Sequence, residues 1–114
     1  MKFKILDINY SKKDNKRFVI QIADYKENKI KKFDFGNKNS NTYIDHKDKT
    51  KRLNYFLRHY NNLKEKNLID NLILSPSLLS LFILWGKYDN LEDNIIHFNK
   101  IINKYDKFNE NMIF

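Results

Sequence analysis

Hydrophobic residues alternate with polar ones in the first third of the chain and recur at three- and four-residue intervals in the rest. Phe18, Ile20 and Ile22 alternate with Val19, Gln21 and Ala23, the two-residue period of a strand that buries one face. Phe3 and Ile5 keep one parity while Leu6, Ile8 and Tyr10 take the other, which predicts a bulge or two half-strands. Ile30, Phe33 and Phe35 mark a third strand after the polar turn Lys26–Lys29, and Ser11–Lys16 reads as a solvated hairpin tip. Short connections favour pairing between neighbours, so about residues 2–36 are expected to form a three-stranded antiparallel meander.

The loop Gly36–Asn41 separates these strands from three expected helices, at about residues 46–66, 76–86 and 91–108. In the first, Leu53, Phe56, Leu57, Tyr60 and Leu63 recur at helical spacing as an apolar stripe. Ser75-Pro76 opens the second, serine capping free N–H groups and proline tolerating the first turn. Leu78 to Trp85 is apolar on nearly every side, which predicts the innermost helix, with Trp85-Gly86 as core anchor and C-cap. Asn90 opens the third, with Asp93 as its capping-box partner; Leu91, Ile95, Phe98, Ile102 and Tyr105 form its apolar face, which is expected to fray near Phe108. The expected fold class is therefore α+β: a three-stranded antiparallel sheet packed against three helices, in a single domain over residues 1–114.

Composition narrows the chemistry. With 114 residues the chain is long enough for one core, and the absence of cysteine excludes a disulfide scaffold, a thiolate zinc site and a cysteine nucleophile. The longest apolar stretch is far too short to span a bilayer, and no secretory signal opens the chain, so an intracellular setting without membrane insertion is expected. The net charge is +8, unevenly placed: residues 1–66 carry 18 basic and 8 acidic side chains, residues 67–114 only 4 and 6. Lysine, asparagine and isoleucine account for 50 of the 114 residues, and their AT-rich codons can raise all three without any function. Codon bias acts on the whole chain, so it does not account for the asymmetry. A basic first half suits a polyanionic partner.

The first helix carries the candidate chemistry. At 100° per residue, Asp48, Arg52, Tyr55 and His59 fall within about 60° of one another as a polar and aromatic seam, and Lys47, Lys51 and Arg58 share a cationic face. Such a face can lie along a phosphate backbone while Tyr55 or His59 touches sugar or base. The plainer alternative pairs Asp48 with Arg52 as an i, i+4 ion pair and leaves His59 packed inside the fold. Asp45, His46, Asp48 and His59 are metal-ligand types around one helix start, and His59 with Asp45 or Asp48 could do acid–base work. No H-E-x-x-H, histidine pair at i, i+4, glycine-rich phosphate loop or nucleophile elbow accompanies them. No catalytic residue, metal or cofactor is expected.

The ordered string Phe35-Gly36, Tyr43-Ile44-Asp45-His46-Lys47-Asp48, Arg52, Tyr55, Arg58-His59 and Leu84-Trp85-Gly86-Lys87 resembles a family of short, uncharacterised, conserved proteins of nucleocytoplasmic large DNA viruses, the giant viruses. The resemblance covers about residues 35–96 and leaves residues 1–34 outside. Where that family usually carries an acidic–tryptophan pair, this chain has Lys64-Glu65-Lys66-Asn67-Leu68. It implies a viral setting, in host cytoplasm or virion, and no known enzymatic activity. Together, residues and resemblance lead us to expect a small basic non-enzymatic protein. It would bind nucleic acid without sequence preference through Lys31, Lys32, Lys47, Lys51, Arg52 and Arg58. The alternative is a viral structural or interaction protein, a minor capsid or scaffold component whose partners are other viral proteins.

Overall fold

The strand periodicity builds the sheet directly. In the computed structural model, which describes residues 1–114, β1 (Phe3–Tyr10), β2 (Lys16–Asp24) and β3 (Lys29–Asn37) pair antiparallel in the order β1-β2-β3. Phe18, Ile20 and Ile22 of the central strand point into the core. Ile8 lies opposite Ile20 and Ile5 opposite Ile22; the register shifts between Ile5 and Asp7, so Leu6 is the extra residue at the parity switch. On the other edge Phe33 pairs with Ile20 and Phe35 with Phe18.

The helical region is more broken than its periodicity suggests. In place of one helix over 46–66 there are three: α1 (Tyr43–His46), α2 (Lys49–Tyr60) and α3 (Leu63–Asp70). Capping chemistry divides them. Lys47 adopts a left-handed conformation (φ 58°) that ends α1, and the Asp48 carboxylate then accepts the Thr50 and Lys51 N–H groups. At the second break the Asn62 side chain accepts from Lys64 and Glu65 N–H and starts α3. A short polar side chain that captures backbone donors restarts a helix even where the apolar period runs through it.

α4 (Pro76–Leu79) begins with Leu78 N–H on Ser75 Oγ and runs into a π turn, Ser80–Leu84, where Trp85 N–H reaches the Ser80 carbonyl at 3.1 Å. This element is the innermost, with Leu78, Leu79, Leu81, Phe82, Ile83 and Leu84 all buried. Gly36 lets it approach the sheet: a Cβ there would lie 2.7 Å from Leu84 Cδ1, and its φ of +79° suits glycine. Gly86 is needed for room, since a Cβ there would stand 2.0 Å from the Phe82 carbonyl oxygen.

α5 (Leu91–Lys104) stops short of the expected residue 108 because Tyr105 turns extended and Phe108 N–H bonds the Asp70 carbonyl at 2.9 Å. The tail is not frayed. A 3₁₀ turn (Glu110–Met112) buries Met112 and Ile113 in the core. The fold class is α+β as expected, with five helices rather than three. Its radius of gyration, 13.3 Å, is that of one globular unit of this length. No helix is long and apolar enough to cross a membrane.

Candidate functional site

α2 is turned about its axis from the orientation its leucines suggest. Phe56 is buried, but Leu53, Leu57 and Leu63 are 44%, 47% and 82% exposed. The seam faces inward instead, and Arg52 is only 7% exposed. The inward direction lies about 60° from the middle of the expected stripe, counting 100° per residue. Aromatic rings and the arginine stem account for the turn, because together they offer more apolar surface than two leucines.

Arg52 is therefore corrected from a phosphate contact to an internal strut. Its guanidinium lies 4.4 Å from the centre of the Tyr43 ring and 5.2 Å from that of Phe114. It donates to the Gly86 carbonyl at 3.1 Å and the Lys87 carbonyl at 3.4 Å. The Asp48–Arg52 ion pair is not formed, since Asp48 caps α2. Asn94, fully buried on α5, completes the same junction: its Nδ2 donates to the Ile83 and Tyr88 carbonyls and its Oδ1 accepts Tyr88 N–H. Nothing in the local sequence pattern distinguished Asn94 from the other helical asparagines.

The seam continues as a ladder of rings. Trp85 stacks on Tyr55 at 4.3 Å with 6° between planes, His59 lies 4.1 Å beyond Tyr55, and His46 sits 5.3 Å from Trp85. Burial pushes the Tyr55 hydroxyl well above the usual tyrosine range, with the nearby Glu65 charge adding to it. His59 Nδ1 lies 3.0 Å from the Glu65 carboxylate, which also accepts from Ser77 Oγ at 3.1 Å. The acid beside His59 is thus Glu65, six residues on across the Asn62 cap, and neither Asp45 nor Asp48. Trp85, expected as a core anchor, is half-buried and lines the site.

These side chains wall a cleft of about 450 Å³ between the end of the sheet and the helices. Asn15, Lys16 and Asn37 line it from the sheet, Tyr55, Arg58 and His59 from α2, Glu65 from α3, Ser77 and Ser80 from the α4 element. A second hollow of about 320 Å³ shares Tyr55, Arg58 and Trp85 with it and adds Asn41, His46, Lys51 and Asn54. Only three of the fifteen residues lining the cleft are hydrophobic, so it suits a polar or charged guest.

The candidate cations do not gather into one strip. Lys51 and Arg58 line the joined hollows, and Lys47 is exposed at the α1–α2 junction. Lys31 is held by Asp24 and Glu27 at 3.1 and 3.3 Å, at the far end of the sheet. Lys32 lies with Asp7, Val19, Gln21 and Asp34 on the sheet face turned away from the helices. Side-chain parity is the reason: a strand sends successive residues to opposite faces, so adjacent lysines part. Lys16, which its place in a hairpin turn gave no reason to single out, is brought to the cleft by β2.

The metal-ligand types are likewise dispersed. Asp45 takes a two-pronged ion pair from Arg17 at 2.6 and 2.7 Å, which with the Thr42 N–H holds its carboxyl down at about 2. His46 Nδ1 accepts the Asp48 N–H at 3.0 Å. No group of three or more His, Asp or Glu is placed to hold a metal ion.

Fold and cleft define a small α+β protein with a polar, ring-lined groove bordered by unpaired cations. Residues 6–59 match a family of unknown function (DUF5754). The match takes in most of the sheet, which the motif resemblance had left outside, and it ends at His59, before the Trp85 motif. That span contains Lys16, Gly36, Tyr55, Arg58 and His59, so both the sheet wall and the α2 wall of the cleft fall within it. No curated protein and no solved structure matches the chain.

Proposed function

We propose that this is a small, basic, non-enzymatic protein that binds nucleic acid through sequence-independent phosphate contacts. Its setting would be viral, in the host cytoplasm or the virion, a reading supported by the resemblance of residues 35–96. The observation that carries the binding reading is how six of the eight carboxylates in the first 66 residues, all but Asp7 and Asp14, are spent. Asp24, Glu27, Asp34 and Asp45 pair with lysine or arginine, Asp48 caps a helix and Glu65 holds His59. Lys16, Lys47, Lys51 and Arg58 have no carboxylate within ion-pair distance; Lys16, Lys51 and Arg58 line the cleft and the hollow beside it, and Lys47 is exposed at the α1–α2 junction. Such cations bind by releasing counterions from a phosphate chain.

A salt titration tests this. With four cations engaged, log affinity for a 30-nucleotide oligonucleotide or its duplex should fall linearly with log salt, with a slope of about −3 to −4. Affinity that is unchanged between 50 and about 200 mM salt rules the mechanism out.

A second reading, a structural or interaction protein, draws on the outward leucines: Leu53 and Leu57, one turn apart on α2, and Leu63 at the start of α3 are all exposed. It requires self-association or a viral protein partner, and light scattering of the protein with Leu57→Lys against the parent distinguishes it.

A further inference from the structure

We infer that the cleft admits single-stranded rather than duplex nucleic acid, with a phosphate seated between Lys16 and Arg58; this rests on the nucleic-acid reading above. The first ground is shape. Three of the four uncancelled cations, Lys16, Lys51 and Arg58, line two adjoining shallow hollows of about 450 and 320 Å³. A duplex carries its phosphates on a stiff outer ridge and has its base edges paired. A flexible strand can lower one sugar-phosphate unit into a hollow.

The second ground is the lining. Lys16 comes from the sheet and Arg58 from α2, so a phosphate between them would be held from opposite walls. Glu65, the one acidic residue of the cleft, is occupied by His59 and Ser77. With Nδ1 committed to Glu65, His59 keeps Nε2 for a guest. Asn15 and Asn37 on one side and Asn41 and Asn54 on the other offer both donors and acceptors to unpaired base edges.

The third ground is the ridge between the hollows. Tyr55, Arg58 and Trp85 belong to both, so a strand crossing from one to the other passes over an aromatic pair with a guanidinium beside it. Aromatic and arginine surfaces meet any base without reading its identity, in keeping with sequence-independent binding. His59 covers the outer face of Tyr55 and His46 stands against Trp85, so a base would meet ring edges and the Arg58 guanidinium rather than a free stacking face.

The test is fluorescence anisotropy with a labelled 12-nucleotide oligo-dT and a 12-base-pair duplex, at one salt concentration, using the whole protein. The single strand should bind about tenfold more tightly than the duplex. Lys16→Ala and Arg58→Ala should each weaken oligo-dT binding about tenfold and reduce the salt slope by about 0.7. Lys32→Ala, on the far face of the sheet, should stay within about twofold. Unfolding midpoints of all three variants verify folding, and Lys51→Ala serves as a second probe of the track should either cleft variant be unstable. Equal affinity for both probes, with Lys16→Ala and Arg58→Ala no worse than Lys32→Ala, overturns the cleft inference and leaves general nucleic-acid binding standing. Binding to neither probe overturns both.

Discussion

Arg52→Ala should unfold this protein far more readily than an ordinary helix-surface substitution. The guanidinium makes one good and one long hydrogen bond, to the Gly86 and Lys87 carbonyls, and lies against two rings. A hydrogen bond from a charged donor contributes about 1.5–3 kcal/mol, and each ring contact about 0.5–2 kcal/mol. Truncation also leaves the buried Gly86 carbonyl without a donor, an overlapping cost of about 1–3 kcal/mol. Opposing these is the burial of a charge with no carboxylate partner, so the sum is reduced to a loss of about 3–4 kcal/mol. For 114 residues the whole stability is about 6–17 kcal/mol. The urea midpoint should therefore drop by about 1–3 M with an unchanged slope. Arg52→Lys should recover less than half, because an ammonium lacks the planar fork that spans two carbonyls while stacking on rings. A loss below about 1 kcal/mol, accompanied by weakened oligonucleotide binding, would refute the strut and return Arg52 to the site.

Two further outcomes follow from the same structure. Asn94→Asp keeps the acceptor for Tyr88 N–H but turns a carboxylate oxygen toward the Ile83 and Tyr88 carbonyls, 3.0 and 2.8 Å away. It should cost about 3 kcal/mol or more at neutral pH, and part of that should return in acid, where a protonated carboxyl can donate once; thermal unfolding at pH 7 and pH 4 reads both. Asp45 is held at about 2 when folded against an ordinary 3.8, by Arg17 and then by Thr42. Its folded pKa is lowered, so its contribution is present above about pH 4 and disappears as pH falls toward 2. Allowing for solvent screening it is about 1–2 kcal/mol. The stability gap between the parent and Asp45→Asn should be level from pH 5 to 8 and close below pH 4.

Much of the scaffold was legible in the order of residues. The parity switch at Leu6, the turn residues and the β-branched run of β2 dictate the meander, because strand period and hairpin connection are local properties. The all-apolar stretch before Trp85 had to be innermost, since no face of it could be given to water. Caps at Asp48 and Asn62 were present as residue types, but periodicity ran through them, and breaking a helix depends on a side chain reaching backbone donors.

The direction α2 faces was settled only in three dimensions. Leucines at helical spacing and an aromatic seam competed for the interior, and the seam won because Trp85 and Phe114, distant in sequence, joined Tyr43 in meeting it with rings. That outcome put Arg52 inside and left Leu53 and Leu57 at the surface. It also set Arg58 opposite Lys16, forty-two residues apart in sequence, across one cleft. Charge count and period are additive along a chain and can be read from it. Which cations share a cavity, and which are cancelled by a carboxylate, depends on contacts between distant segments that no local pattern encodes.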